Sequence, residues 1–236
     1  MKQPTCVLII SCLALSSLLP ACKKDRDPKT ELIIDSDFSD GKQGWIAGFA
    51  EYNGDNVATY ELEEGLAILP SPLDASRQAY RISGSNRSDD LFMYLKKHIE
   101  GLKPLARYRA IFTLEIASNA PSGGVGAGGA PGEGVGVGVG LTIQEPLSAP
   151  DANNFYKMNI GKFNQCCTNG EDMVVIGNVA NGESDYGYKL ISRNGEFTAP
   201  VDAEGGVWLI VGTDSGFEGI TTLYYSRIRV ELLEVE

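Results

Sequence analysis

Arg107-Tyr108-Arg109-Ala110-Ile111-Phe112-Thr113-Leu114-Glu115-Ile116-Ala117 is the most regular stretch of the chain. Tyr108, Ala110, Phe112, Leu114 and Ile116 recur at every second position, and Arg107, Arg109, Thr113 and Glu115 fall between them. A spacing of two puts the first set on one face of an extended chain, so the segment predicts a half-buried strand. Weaker versions of the pattern lie at residues 45–50, 58–62, 66–69, 155–160, 172–179, 187–193 and 207–213, and Glu31-Leu32-Ile33-Ile34 opens the series. The last candidate, roughly 221–235, alternates at Ile228, Val230 and Leu232 and then slips phase at Leu233 and Val235, which predicts a bulge there. Twenty-eight glycines and eleven prolines separate these stretches. Short strands punctuated by turn residues at this rate predict an all-β antiparallel sandwich.

Two segments need arbitration. Ser88-Asp89-Asp90 ahead of Leu91, Leu95 and Ile99, with Lys96, Lys97 and Gly101 behind, satisfies the rules for helix ends. Leu91-Phe92-Met93-Tyr94-Leu95 is also a continuous buried-strand run, and Gly101 to Pro104 forms a turn into the strand at 107; the strand is preferred. Residues 122–140 are dominated by glycine. The first part predicts a flexible loop, whereas Gly134-Val135-Gly136-Val137-Gly138-Val139-Gly140 predicts a strand with valines on one face and no side chains on the other. A bare face suits the close approach of another backbone, an aromatic ring or a ligand.

The N-terminal residues carry an address. Lys2, an apolar run from Cys6 to Leu19, and then Leu19-Pro20-Ala21-Cys22 resemble the signal and lipobox of bacterial lipoproteins. The resemblance implies cleavage after Ala21, lipidation of Cys22 and stable anchoring by several acyl chains. Residues 1–21 are then a signal peptide, 22–30 a lipidated cysteine with a flexible tether, and 31–236 a single sandwich domain, a size that sandwiches commonly reach undivided. Lys23 directly after Cys22 resembles outer-membrane sorting. The charged tether itself reads either as a solvated linker or as a surface-export signal of the kind seen in Bacteroidota lipoproteins.

The whole chain has a formal charge of −11. Removing residues 1–21 takes away one lysine and no acid, leaving −12. With no basic stripe to interrupt that field, phosphate is repelled and nucleic acid is not an expected partner. His98 is the sole histidine and Cys166-Cys167 the only cysteine pair after the tether, so neither a zinc site nor a histidine-based triad is readily built. Cys166 and Cys167 predict a vicinal disulfide or an exposed reactive pair; adjacent Cα atoms about 3.8 Å apart fall short of the usual disulfide span. Gly124-Val125-Gly126-Ala127-Gly128-Gly129 matches a dinucleotide-binding glycine pattern only formally, because Pro131 follows instead of a helix.

The densest concentration of hydrogen-bonding groups is Ser83-Gly84-Ser85-Asn86-Arg87-Ser88-Asp89-Asp90. Asn86, Arg87, Asp89 and Asp90, with Glu133 from the glycine loop, are the candidate ligand-binding residues, since amides, carboxylates and a guanidinium fork donate and accept in fixed geometry towards hydroxyl-rich ligands. The same loop also reads as an ordinary turn with internal Asx bonds and an Arg87–Asp pair. A glycoside hydrolase would need a second acid, such as Glu115 or Glu133, because Asp89 and Asp90 point to opposite faces of an extended chain. No cofactor is expected. Asp35, Asp37 and Asp40 offer hard oxygen ligands for structural calcium or serve as solvated turn carboxylates.

Phe38 to Trp45, Ser83 to Leu95, Gly101-Leu102-Lys103-Pro104 to Tyr108, and Gly128-Gly129-Ala130-Pro131-Gly132-Glu133 together resemble uncharacterised bacterial secreted proteins and lipoproteins that carry a galactose-binding-like jelly roll. The resemblance spans most of residues 31–236 and implies a sandwich related to carbohydrate-binding modules. The implied function is a lipid-anchored extracytoplasmic protein that binds a glycan or another small polar ligand, or an envelope protein, without catalysis; a glycoside hydrolase is the lesser alternative. Exposed aromatics drawn from Trp45, Tyr52, Tyr186 or Tyr188 would favour sugar binding.

Overall fold

The alternation at 107–117 becomes an interior strand of the larger sheet. In the computed structural model, which describes Met1 and residues 30–87, 89–165 and 167–235, Tyr108, Ala110, Phe112, Leu114 and Ile116 are all fully buried. Residues 2–29, which include nearly all of the expected signal segment, Cys22 and most of the expected tether, lie outside the described residues, as do Ser88, Cys166 and Glu236.

The strands are β1 (Thr30–Ser36), β2 (Ile46–Ala50), β3 (Tyr52–Asn53), β4 (Glu63–Ile68), β5 (Gln78–Ser85), β6 (Leu91–Ile99), β7 (Arg107–Ser118), β8 (Val135–Thr142), β9 (Ser148–Pro150), β10 (Phe155–Met158), β11 (Met173–Asn178), β12 (Lys189–Pro200), β13 (Val207–Ser215) and β14 (Ile220–Val235). A six-stranded sheet runs β12-β7-β14-β5-β4 with β1 also on β14; a five-stranded sheet runs β11-β8-β13-β6-β2; β3, β10 and β9 form a small third sheet. Every pairing is antiparallel. The two large sheets face each other across one apolar core, which makes the fold an all-β antiparallel sandwich.

β14 organises the larger sheet. One edge pairs with β7, while the other is shared by β5 over Ile220–Tyr225 and by β1 over Ile228–Leu233. The expected bulge sits earlier than the phase slip suggested. Register with β7 shifts between Tyr225 and Arg227, so Ser226 is the extra residue. The inward set changes there from Thr221, Leu223 and Tyr225 to Ile228, Val230 and Leu232. At Leu233 the shift lies in the partner, between Thr30 and Leu32.

The five-stranded sheet is covered on both faces. β6 sends Leu91, Met93 and Leu95 into the main core and Phe92 and Tyr94 to the opposite side, with Ile160, Phe163 and Met173. Two buried faces explain why Leu91–Leu95 is apolar without interruption. On β8, Val135, Val137, Val139 and Leu141 join the core. Across the bare face, the nearest atoms to Gly136 belong to the Gln165 carbonyl, and those to Gly138 to the Phe163 ring. The chain's own backbone and an aromatic ring therefore fill the space, which is not available as the floor of a ligand site.

Residues 58–62 do not extend. Gly54–Tyr60 is a 3-10 helix whose Asp55 amide donates to the Asn53 side chain, and Glu61 closes it in the left-handed region at φ 48°. The local hydrogen bonds of Asn53 and Asp55 outweigh the weak alternation that follows them.

Candidate functional site

The turn between β5 and β6 holds the sequence-predicted ligand residues, and their side chains leave it in different directions. Asn86 is buried; its Nδ2 donates to the Ser215 carbonyl at 2.7 Å and its backbone amide to the Gly219 carbonyl at 3.0 Å. It ties the β13–β14 turn to β5. Arg87 is exposed and reaches across to the 3-10 helix, where Nε donates to the Thr59 carbonyl at 3.3 Å and Nη2 stands 3.8 Å from Glu61 Oε1. Asp89, at φ 67°, presents its carbonyl to Gln165 Nε2 at 3.0 Å. Asp90 turns beneath the segment that covers the five-stranded sheet.

Arg87 and Asp89 are both exposed, and Arg87 is the member that lines a cleft. With Asn56, Thr59, Tyr60 and Glu61 it lines a cleft of about 550 Å³. Glu61 also borders a second cleft of about 360 Å³, with Val57, Ala58, Leu62 and Glu63. The Arg87 and Glu61 side chains are 51% and 55% exposed, so the guanidinium keeps N–H groups for a ligand and the carboxylate keeps lone pairs. Asn56 and Thr59 add an amide and a hydroxyl. The arrangement supplies both donors and acceptors at the mouth of one cleft, as polyhydroxylated molecules require. Tyr60 forms the floor but is buried; its hydroxyl accepts from the Asn53 amide. Tyr52 stacks between Tyr60 and Tyr156, with centroids 4.6 Å apart in the Tyr52–Tyr156 pair, and so props the helix from behind.

Asp90 belongs to a different environment. Lys162 Nζ donates to Asp214 Oδ2 at 2.7 Å and lies 3.7 Å from Asp90 Oδ2, and Asp214 also accepts from the Gln165 amide at 2.8 Å. Burial pushes the Asp90 carboxyl up to about 8, helped by its hydrogen bond to Asp214 and by the Asp214 charge. Glu51 is also raised, chiefly by burial. Asp90 and Asp214 therefore turn to one ammonium, and burial favours the neutral form of the Asp90 carboxyl.

The remaining candidates are separate again. Glu133 Oε1 accepts from the Gly123 amide at 3.0 Å and braces the glycine loop. Glu115 pairs with Arg77 on the outer face of the six-stranded sheet, opposite to the side that carries Asp90. Asp35 is held below the usual carboxylate range by hydrogen bonds from Arg227, and Asp37 by those from Ser39. Among the described residues no group of three or more acidic, histidine or cysteine side chains is arranged to hold a metal. Cys167 is disulfide-bonded, and the other four cysteines all lie outside the described residues. His98 is exposed on β6 and lies against Trp208 at 4.7 Å between centroids.

Of the four aromatics that could line a groove, Trp45 is buried, with Nε1 donating to Ser36 Oγ at 3.0 Å. Tyr188 packs edge-on against Tyr224. Tyr186 is 69% exposed and borders a crevice of about 60 Å³ with Pro131, Phe217, Asn119 and Thr221. Sequence reasoning missed Asn56, Thr59 and Glu61, although the run Asn53-Gly54-Asp55-Asn56 carries turn chemistry that marks a short helix. It also missed Asp214 and Lys162; an acid ending the apolar run from Val207 was the available signal.

No protein-family model and no curated protein matches this sequence. Solved structures with similar chain paths include the enzymatically active domain of bacteriophage CBA120 tailspike protein 4, at 8% identity and TM-score 0.35, where the match covers 79% of this chain and only 19% of that one. The CBM22-1 xylan-binding domain of Paenibacillus barcinonensis Xyn10C matches at 9% identity and TM-score 0.40, over 86% of this chain and 95% of that one. The Stig cyclase Fisc from Fischerella sp. TAU matches at 12% and 0.40, over 88% and 92%. Likenesses this distant assign neither a family nor a ligand to the chain, and its sandwich architecture rests on its own strand pairing.

Proposed function

We propose that the protein is a lipid-anchored, extracytoplasmic binding protein that takes a glycan or another small polar ligand in the Arg87 cleft without transforming it. The observation that carries this is the half-exposed pair Arg87 and Glu61, 3.8 Å apart at an open cleft of about 550 Å³. A volume in this range accommodates a small ligand. Binding is favoured over hydrolysis by the placement of the acids: Asp90 hydrogen-bonds Asp214, whereas glycosidase carboxyl pairs stand about 5–9.5 Å apart across a bond. Asn86, Asp89 and Asp90 shape the turn that presents Arg87. Calcium, if used at Asp35, Asp37 or Asp40, is structural.

A glycan-array screen of the purified protein, with and without calcium, tests the reading. Arg87→Ala should weaken a ligand found on the array by about 1–3 kcal/mol, the scale of lost charge-assisted hydrogen bonds. Unchanged affinity in that variant removes Arg87 from the site, and an array without any ligand removes the glycan.

The anchor rests on Leu19-Pro20-Ala21-Cys22 after an apolar run and supports a cell-envelope address at the outer membrane; surface exposure is the further reading if the charged tether is an export signal rather than a solvated linker. Cys22→Ala should abolish metabolic fatty-acid labelling and move the protein out of the membrane fraction; labelling that persists refutes the anchor. A second reading, an adhesive envelope protein, draws on the exposed Tyr186 and Ile220 beside Phe217 at one end of the sandwich. Cross-linking on intact cells through that end, absent from the Arg87 cleft, would favour it.

A further inference from the structure

The cluster beneath residues 160–173 brings several carboxyl groups to one ammonium. Asp214 is fully buried on β13 and accepts from Lys162 Nζ and from the Gln165 amide. Asp90, entering β6, lies near the same ammonium and hydrogen-bonds Asp214. Glu51, between β2 and β3, faces both Lys162 and Asp214 and accepts from the Met158 backbone. Lys157 of β10 acts on Glu51 from further out, and the Phe92 ring of β6 lies 5.3 Å from Lys162 Nζ. A hydrogen bond between two carboxyl groups requires a proton. Ionising both sets two negative charges side by side, Asp214 fully buried and Asp90 with 28% of its side chain exposed, with only the Lys162 ammonium to offset them.

We infer that one proton held between Asp90 and Asp214 is the clasp that fastens both the covering segment 160–173 and the 86–90 turn to the five-stranded sheet, and that alkaline solution opens it. Gln165 joins the two parts. Its amide is held by Asp214, and its side chain donates to the Asp89 carbonyl, so the covering segment and the turn are tied through one residue. Arg87 lies two residues before Asp89, and opening the clasp frees the residue that lines the cleft. The device is independent of what the cleft binds.

The direction follows from proton linkage. With Asp90 raised to about 8, the folded state keeps a proton that the unfolded chain releases near the ordinary value of about 3.9. The resulting stabilisation is complete below that ordinary value, declines as pH rises, and is gone once pH passes through the folded value. The clasp is therefore closed in neutral solution and open in alkaline solution.

Hydrogen exchange of the whole protein at about pH 6 and about pH 9, corrected for intrinsic exchange rates, reads this directly. Amides at 86–90 and 160–173 should lose about a hundred-fold of their protection relative to β7 at the higher pH. Asp90→Asn should keep that protection, because its amide donates to Asp214 at either pH. Glu51→Gln should lose it as the native protein does, which separates the two raised acids. Equal protection at both pH values in the native protein overturns the inference, as does equal loss in Asp90→Asn or retention in Glu51→Gln. Should Asp90→Asn fold poorly, the Asp90 carboxyl carbon of the native protein is followed by NMR; titration in the ordinary carboxylate range refutes the clasp.

Discussion

The outer faces of the two sheets differ in what covers them. On the five-stranded sheet Phe92, Tyr94, Ile210 and Met173 are buried with Ile160 and Phe163 of the covering segment. On the six-stranded sheet Thr113, Glu115, Ser192, Arg227 and Arg229 line an open cleft of about 320 Å³. Both sheets share the central core, so the contrast comes from one segment, residues 155–173, folding back over one side only. A doubly covered strand has no solvent face to mark with polar residues, whereas a singly covered one must alternate. β6 and β8 obey the first rule, and β7 and β14 the second.

Removing the cover should cost most. Phe163→Ala deletes a fully buried ring that meets Gly138 and Phe92, and should lower stability by about 3–5 kcal/mol in a denaturant titration. A cost below about 1 kcal/mol would mean that the cover contributes little to folding. The reverse perturbation, Gly138→Ala, places a methyl against the same ring and should cost about 1–3 kcal/mol by overpacking. Because the ring lies on one side of that contact and β8 backbone on the other, the double variant Gly138→Ala/Phe163→Ala should show less than the sum.

The open face should be far more tolerant. Asp35 pairs with Arg227 and Arg229 across β1 and β14, yet the arginines keep much of their contact with water. Asp35→Asn should therefore cost only about 0.2–1 kcal/mol, shrinking further in high salt. Arg227 lowers the folded-state value of this acid, so its contribution is present above the ordinary carboxylate range and is lost as pH falls through the lowered value. The sign is opposite to that of Asp90, and the two faces should separate in a stability profile against pH. Arg87→Ala should be smallest, within about 0.5 kcal/mol in thermal unfolding, since an exposed side chain with one long hydrogen bond is removed. A large loss of stability there would make Arg87 a structural residue and withdraw the cleft as a binding site.

The contrast also explains what could be read in advance. Strand alternation at 107–117 and at 228–232 reports water on one side, and such strands were legible with their inward faces. The glycine face of 134–140 was legible as a close approach, but not by whom, because Phe163 and Gln165 arrive from a segment that carries no strand pattern. β5 escaped because Gln78–Ser85 mixes small and polar residues that are buried nonetheless, between β14 and β4, where Ser83 Oγ meets Thr222 Oγ1 at 2.6 Å. In the polar turn, Asn86, Arg87 and Asp90 were legible as a concentration of hydrogen-bonding groups. That they part company was not, because each direction is set by a partner 28 to 129 residues away in sequence.

The sequence by itself determined an all-β chain, the strand faces that meet water and a strongly acidic composition. Those properties depend on local periodicity, composition and short motifs, which one chain displays without folding. Only the tertiary structure decided that residues 155–173 cover one sheet, that Arg87 meets Glu61 at a cleft, and that Asp90 and Asp214 turn to one ammonium. Each of these is a contact between distant segments. Its energy depends on distance and on the exclusion of water, and neither exists until the two sheets have closed on their common core.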